Sequence, residues 1–281
     1  MPQTIALLTD FGMRDAYVGM MKAVMLRIAP DAHFVDITHS IQPQNVRQGA
    51  FTLLTCHRYF APGTIFLVVV DPGVGSIRKP LAALAGDYYF IGPDNGVLSY
   101  AVAEHLDAQI VELSNPAYWL SAVSGTFHGR DIFAPTAAHL AAGVPLAELG
   151  QPFENFYRIP PPYLEIAGSV ITGEILHIDR FGNAVTSIGE LRRAATDGLY
   201  LIPPFTEGER RYPVRTFAPA VTVQVKGFSL AGIRHTYSEV APGEPLALIG
   251  SSGYLEIAVN QGSAASRLNL TTGDSVILEM G

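Results

Sequence analysis

A single cysteine, Cys56, stands among 281 residues. One thiol cannot close an internal disulfide, so a reducing, cytoplasmic setting is expected. Charge is scarce as well: Asp, Glu, Lys and Arg together make up 15% of the chain, where an average soluble domain has about 25%. With 48% hydrophobic residues, that composition excludes a disordered chain. Basic residues are the scarcer sign, 18 Lys and Arg against 25 Asp and Glu, for a formal charge of −7. Basic contacts to phosphate supply most non-specific nucleic-acid affinity, so no nucleic-acid partner is expected. Long apolar runs are missing: residues 64–70 form one of the longest, far below the ~20 needed to cross a bilayer. No membrane span is expected, and the opening Met1-Pro2-Gln3-Thr4 lacks the basic stretch and cleavage site of a secretory signal.

Two catalytic signatures are absent too. Eight histidines are present, and His177 with Asp179 or His128 with Asp131 can be drawn as ligand pairs. Without a His-Glu-x-x-His pair, a cysteine cluster or a calcium loop, however, no metal is expected. The Gly-x-Ser-x-Gly elbow of serine hydrolases does not occur either.

What is there falls into two halves. Residues 5–8 read as a strand, and Val18, Met21, Met25 and Ile28 recur at helical spacing until Pro30. Residues 34–37 read as the next strand, and Pro43 opens a helix running to about His57. Residues 64–70 form a buried-strand run followed by a glycine-rich turn at 71–75. Residues 81–85 and 88–91 flank Gly86-Asp87 as a hairpin; 97–106 looks helical, 109–113 extended and 131–142 helical. The expectation is an α/β N-terminal domain over residues 1–158, with a mainly parallel sheet and helices on both faces. Pro160-Pro161-Pro162 fits neither a helix nor a central strand and marks a linker at 159–168. Short alternating runs at 169–178, 184–188, 221–225, 246–249, 254–259 and 275–279 then predict a smaller all-β C-terminal barrel over 169–281. A cleft between two such domains suits a small ligand.

In open parallel sheets ligands sit beyond the carboxyl ends of the strands. Asp10, Asp36 and Asp71 occupy such ends here. An isolated Asp at a strand end is most simply a helix cap or turn former; beside glycines, several of them point to a site. Asp71-Pro72-Gly73-Val74-Gly75-Ser76 is not a phosphate loop, for it lacks the Gly-Lys-Ser/Thr ending. A carboxylate at its mouth also repels phosphate. Asp10 is instead suited to accept hydrogen bonds from a ribose diol, so the expected ligand carries a sugar without a phosphate cluster. Arg78 lies close enough in sequence to keep Asp71 ionised, though a loop-fixing salt bridge is an equally good reading. His128 sits in a glycine-flanked loop that permits close ligand approach. Asp179-Arg180-Phe181-Gly182-Asn183 interrupts a strand as a bulge or turn, where Asn183 could read an adenine edge and Phe181 stack on the base. Gly250-Ser251-Ser252-Gly253 is a loop of small polar residues able to donate to a carboxylate.

Taken in order, Thr9-Asp10-Phe11-Gly12, Asp36-Ile37-Thr38-His39, Asp71-Pro72-Gly73-Val74-Gly75, Gly92-Pro93-Asp94-Asn95-Gly96, Phe127-His128-Gly129-Arg130-Asp131, Phe181-Gly182-Asn183 and Gly250-Ser251-Ser252-Gly253 resemble the S-adenosyl-L-methionine hydrolases, or hydroxide adenosyltransferases. These are homologous to the fluorinase and chlorinase enzymes. The resemblance implies an N-terminal α/β domain joined to a C-terminal β-barrel, assembled as a homotrimer with substrate at the subunit interface. It implies hydrolysis of S-adenosyl-L-methionine to adenosine and L-methionine without a cofactor. By the same motifs Asp10 holds the ribose hydroxyls, while Asp71, Arg78 and His128 handle the water. On chemical grounds Asp71, paired with Arg78, is expected to orient the water and His128, with an ordinary pKa of about 6.5, to take the proton. Asp179 and Ser251 hold the amino-acid end, Asn183 reads adenine and Phe181 packs on it. Tyr237 is the second aromatic of the clamp, and Tyr254, Glu256 and Val259 lie in the segment lining the base. The position matching Asp71 is aromatic in the halogenases, which favours water over halide as nucleophile. A halide-dependent adenosyltransferase and a non-catalytic nucleoside-binding protein remain the alternatives.

Overall fold

Alternate residues of the first strand, β1 (Thr4–Thr9), enter two different cores. Ile5 and Leu7 join Met21, Met25 and Phe133, whereas Ala6 and Leu8 join Leu53, Phe66 and Leu98. A strand apolar on both sides must be covered on both faces. The coverage comes from α1 (Tyr17–Ile28) and α4 (Ala134–Ala141) on one side and α2 (Val46–Cys56) and α3 (Ser99–Val102) on the other. The computed structural model describes residues 3–202 and 214–280, in two units, Met1–Pro160 and Pro161–Gly281.

The first unit contains β1, β2 (His33–Thr38), β3 (Ile65–Val69), β4 (Pro80–Ala85), β5 (Tyr88–Pro93), β6 (Gln109–Glu112) and β7 (Gln151–Pro152). Their order in one sheet is β2-β1-β3-β5-β4-β6-β7. The pairings β2-β1, β1-β3 and β3-β5 are parallel; β5-β4, β4-β6 and β6-β7 are antiparallel. The sheet is therefore mixed, not mainly parallel. The change of direction follows from the Gly86-Asp87 turn: two residues join only antiparallel neighbours.

Helix boundaries differ from expectation for local reasons. The second helix starts at Val46 and not at Pro43, because Asn45 takes the N-cap and its side chain accepts from the Gln48 amide at 3.0 Å. Residues 97–106 hold only the single turn of α3. Residues 131–142 hold two pieces: a π-helical turn at Gly129–Phe133, then α4. The wide turn is closed by the Ala134 amide donating to the Gly129 carbonyl, and such turns gather at functional sites.

The second unit is a mixed assembly dominated by antiparallel pairs. It contains β8 (Leu164–Ala167), which lies inside the segment expected as linker, β9 (Val170–Ile178), β10 (Ala184–Thr186), β11 (Leu191–Arg193), β12 (Gly198–Leu201) and β13 (Val214–Phe217). It continues with β14 (Thr222–Val225), β15 (Phe228–Ala231), β16 (Ile233–Arg234), β17 (Pro245–Ile249), β18 (Leu255–Val259), the short α5 (Ala264–Arg267) and β19 (Ser275–Glu279). Nine strands form a curled sheet in the order β15-β14-β19-β9-β10-β18-β17-β16, with β8 beside β9. The Gly232 amide donates to the Val221 carbonyl at 2.7 Å and draws the β16 edge towards the start of β14, so the sheet is nearly closed and barrel-like. Strands β11, β12 and β13 form a separate three-stranded sheet. The core of the second unit holds Ile171, Ile175, Ala184, Ile257, Val276 and Leu278. Among the described residues no helix is long and apolar enough to cross a membrane.

Candidate active site

Strands β1 and β3 are parallel neighbours in register through Thr9 and Val69. The chain therefore leaves the sheet side by side at Asp10 and at Asp71, the edge where open parallel sheets place their ligands. The turn after β3 brings Arg78 back onto Asp71: Nε donates to Oδ1 at 3.0 Å, and Nη2 bonds Oδ2. This fork-on-fork pair is nearly out of solvent, with side chains 8% and 5% exposed, and its two parallel bonds fix the carboxylate plane. The remaining Arg78 donor, Nη1, is buried and meets no protein acceptor.

Arg78 Nη2 also reaches His128 Nδ1 at 2.9 Å, over 50 positions of sequence. A guanidinium only donates, so Nδ1 accepts, and the neutral ring carries its hydrogen on Nε2. The lone pair expected to take the water's proton is thus already used. Burial, then the adjacent guanidinium, pull the His128 pKa below its ordinary value, against the opposing charges of Asp71 and Asp131.

Two glycines let these loops meet. Gly75, at φ +77°, passes so near Gly125 that a Cβ on it would stand 2.3 Å from the Gly125 carbonyl oxygen. Asp131, fully buried in the π-helical turn, accepts the Ser124 amide at 2.8 Å and the Arg130 guanidinium at 2.6 Å. The hydrogen bond to Ser124 holds the loop that carries His128. On its other side Phe127 packs edge-on against Phe11, with centroids 5.8 Å apart, and against Tyr17 at 5.1 Å. Phe11 follows Asp10 and Phe127 precedes His128, so one aromatic contact sets the two loops together. Asp10 Oδ2 accepts the amide of Gln44 at 2.8 Å. Gln44 adopts a left-handed φ of +67° there, a costly conformation for a residue with a Cβ.

In the second unit the loop between β9 and β10 wraps around Asp179. Its Oδ1 accepts the amides of Phe181 (2.8 Å) and Asn183 (2.9 Å), and its Oδ2 accepts Asn183 Nδ2 at 3.0 Å. Gly182 makes the turn at φ +85°. Phe181 is left 76% exposed. Tyr237 donates from its hydroxyl to Glu256 Oε1 at 2.8 Å. Burial and this bond push the Tyr237 hydroxyl up to about 12. Burial also raises the Glu256 carboxyl, with the charge of Asp179 adding and the Tyr237 bond opposing. Ser251 is exposed on the turn before β18. Tyr254 is buried against Gly189, and the Val259 side chain belongs to the core of the unit.

The structure thus joins Asp71, Arg78 and His128 directly and sets Asp10 in the adjoining loop. It gathers Asp179, Phe181 and Asn183 in one turn, and ties Tyr237 to Glu256. Sequence reasoning missed Gln44, Gly125 and Asp131 as supports. Gln44 carries no sequence signal, since only its backbone acts. Asp131 sits in the His128 motif and could have been found there. Among the described residues no group of three or more His, Cys, Asp or Glu is placed to hold a metal ion.

The sequence profile of the SAM hydroxide adenosyltransferase N-terminal domain matches residues 5–150, and that of the C-terminal domain matches residues 173–277. The chain is 39% identical to the (R)-S-adenosyl-L-methionine hydrolase of Salinispora tropica over 283 residues, covering 99% of this chain and 98% of that one. It is 40% identical to the (R)-S-adenosyl-L-methionine hydrolase of Thermus thermophilus over 281 residues, covering 96% and 97%. A crystal structure of an uncharacterised conserved protein from Thermotoga maritima aligns with a TM-score of 0.84 at 36% identity, covering 98% of this chain and 99% of that one.

Proposed function

The chain belongs to the S-adenosyl-L-methionine (SAM) hydroxide adenosyltransferase family, and on that footing we propose that it hydrolyses SAM to adenosine and L-methionine. The observation that carries the mechanism is the Asp71–Arg78–His128 cluster beyond the carboxyl end of β3. The sulfonium of SAM makes the ribose C5′ electrophilic. As water attacks C5′ in line, the C5′–O bond forms and the C5′–S bond breaks, its electron pair returning to a neutral thioether. No anion departs, so the protein's task is to position the water and exclude bulk solvent, worth up to ~7–11 kcal/mol in well-oriented reactions.

Asp71 accepts a hydrogen bond from the attacking water through a lone pair that Arg78 leaves free. The oxonium that forms on attack is a strong acid, so its proton passes to the Asp71 carboxylate once formation of the C5′–O bond has advanced. The unpartnered Arg78 Nη1 is the donor available to the water oxygen. His128 stays neutral and holds Arg78 through Nδ1. Asp10 takes the ribose 2′ and 3′ hydroxyls. Asp179 and Ser251 take the amino-acid end, Asn183 the adenine edge, and Phe181 and Tyr237 the base faces, with Tyr254, Glu256 and Val259 in the lining segment.

The reading includes an N-terminal α/β domain and a C-terminal barrel, a cytoplasmic homotrimer, and no cofactor beside the SAM substrate. The exposure of Phe181 supports a site completed by a group outside that unit's own core. Incubation with SAM in heavy-oxygen water, followed by mass spectrometry, tests the reaction. Heavy oxygen in the 5′-hydroxyl of adenosine is expected; unlabelled adenosine, a 5′-halo-adenosine formed with added chloride, or no turnover would overturn it.

A further inference from the structure

Asp36 and His39 belong to a sequence motif that the proposed reaction leaves unused, and the structure connects them to the loop of Asp10. We infer that Thr9, His39 and Asp36 are positioning residues that set the Asp10 carboxylate for the ribose diol; the inference rests on the reading of Asp10 as the ribose-holding group.

The connection is a chain of polar contacts running inward from the surface. Lys22 Nζ lies 2.7 Å from Asp36 Oδ2, and Asp36 Oδ1 lies 3.0 Å from His39 Nε2 in a contact poorly aligned for a hydrogen bond. His39 Nδ1 meets the Thr9 hydroxyl at 2.9 Å, and that oxygen accepts the Phe11 amide at 3.3 Å. The directions are mutually consistent. The Phe11 amide can only donate to Thr9; the Thr9 hydroxyl donates to Nδ1; the remaining ring hydrogen on Nε2 faces a carboxylate. The order Asp-His-Thr is that of a hydrolytic triad, but Thr9 has no solvent exposure and its oxygen is already bonded to Phe11. It cannot act as a nucleophile.

What the chain can do is hold the backbone on both sides of Asp10. Thr9 precedes it, and Phe11, which follows, is pinned by the Thr9 hydroxyl. The next residue, Gly12, donates its amide to the His39 carbonyl at 2.7 Å. The pairing of β1 with β2 slips by one residue between Leu7–Asp36 and Leu8–Thr38, and bulges of this kind re-aim side chains beside active sites. A carboxylate that receives two vicinal hydroxyls must be held within about 0.5 Å of its working place, and one bond from Gln44 to Oδ2 leaves the backbone to be fixed by other means.

The test compares binding of adenosine and 2′,3′-dideoxyadenosine by calorimetry. The wild-type protein is expected to prefer adenosine. Thr9→Val, which keeps the shape and removes the hydroxyl, is expected to weaken adenosine by about tenfold and to leave the dideoxy compound unchanged. Thr9→Ser is expected to restore the preference. Should Thr9→Val not fold, Asp36→Asn at the partly exposed end of the chain is expected to shift the same preference in the same sense. Equal weakening of both ligands, or no change in either, would overturn the positioning role. Loss of the adenosine preference in the wild-type protein would instead overturn the reading of Asp10.

Discussion

Gly75 lies beneath the Gly125 carbonyl with no room for a side chain between them, since an added Cβ would stand 2.3 Å from that oxygen. The contact joins the turn that carries Asp71 and Arg78 to the loop that carries His128. Gly75→Ala meets a backbone atom and a left-handed φ together, so it is expected to lower stability by at least about 2 kcal/mol. It is also expected to reduce turnover beyond what partial unfolding explains. Urea unfolding monitored beside SAM hydrolysis separates the two effects.

Replacement within the cluster separates chemistry from binding. Asp71→Asn is expected to slow hydrolysis by about 10² to 10⁴, and His128→Ala, which removes the acceptor that holds Arg78, to slow it as well, while adenosine still binds in both. Unchanged turnover in both variants would remove the cluster from the reaction.

Asp10→Ala is expected to weaken SAM and adenosine alike, because both carry the ribose diol. Titration calorimetry with adenosine and with L-methionine checks this, and a loss confined to methionine would contradict it.

The pH dependence has a defined sign. His128 is faced by Arg78, Asp71 and Asp131, and burial with Arg78 holds its pKa below the ordinary value. The folded protein thus favours the neutral ring, so its contribution to stability is present above about pH 6.5 and is lost as pH falls through the lowered folded value. Protonation at Nδ1 also expels the Arg78 hydrogen bond, so the acid limb of kcat/KM is expected below pH 6.5. Asp131→Asn removes a charge that raises this pKa and is expected to move the limb lower still. A limb above the ordinary histidine value would refute the arrangement.

Tyr237→Phe removes the one contact that opposes the raised pKa of Glu256. The carboxyl is expected to titrate higher yet, and the protein to lose about 1–2 kcal/mol, measured by urea unfolding at neutral pH.

The parallel half of the first sheet was legible because β1 and β3 are apolar on both faces and bounded by polar turns. Its antiparallel half was legible at the Gly86-Asp87 hairpin and in the extended run that forms β6; β7 has two residues and no pattern to detect. In the second unit β9 and β19 stand where alternation placed them. Strands β11, β12, β15 and β16 have four residues or fewer and lie outside the alternating runs. Proximity of Asp71 to Arg78 could be read from the turn. The approach of His128 to Arg78 was implied only by the family resemblance and by no local pattern, since it depends on a π-helical turn and on a glycine pair far apart in sequence. Nor could the tautomer of His128, which is set by a partner's donor geometry and not by any neighbour in the chain.

The reversal of strand direction at β4 has a practical side. It sends the connection between α3 and β6 to the rim opposite Asp10 and Asp71, where Leu106 is almost wholly exposed. Peptide tags or fluorescent labels grafted there would report on the protein while sparing its chemistry.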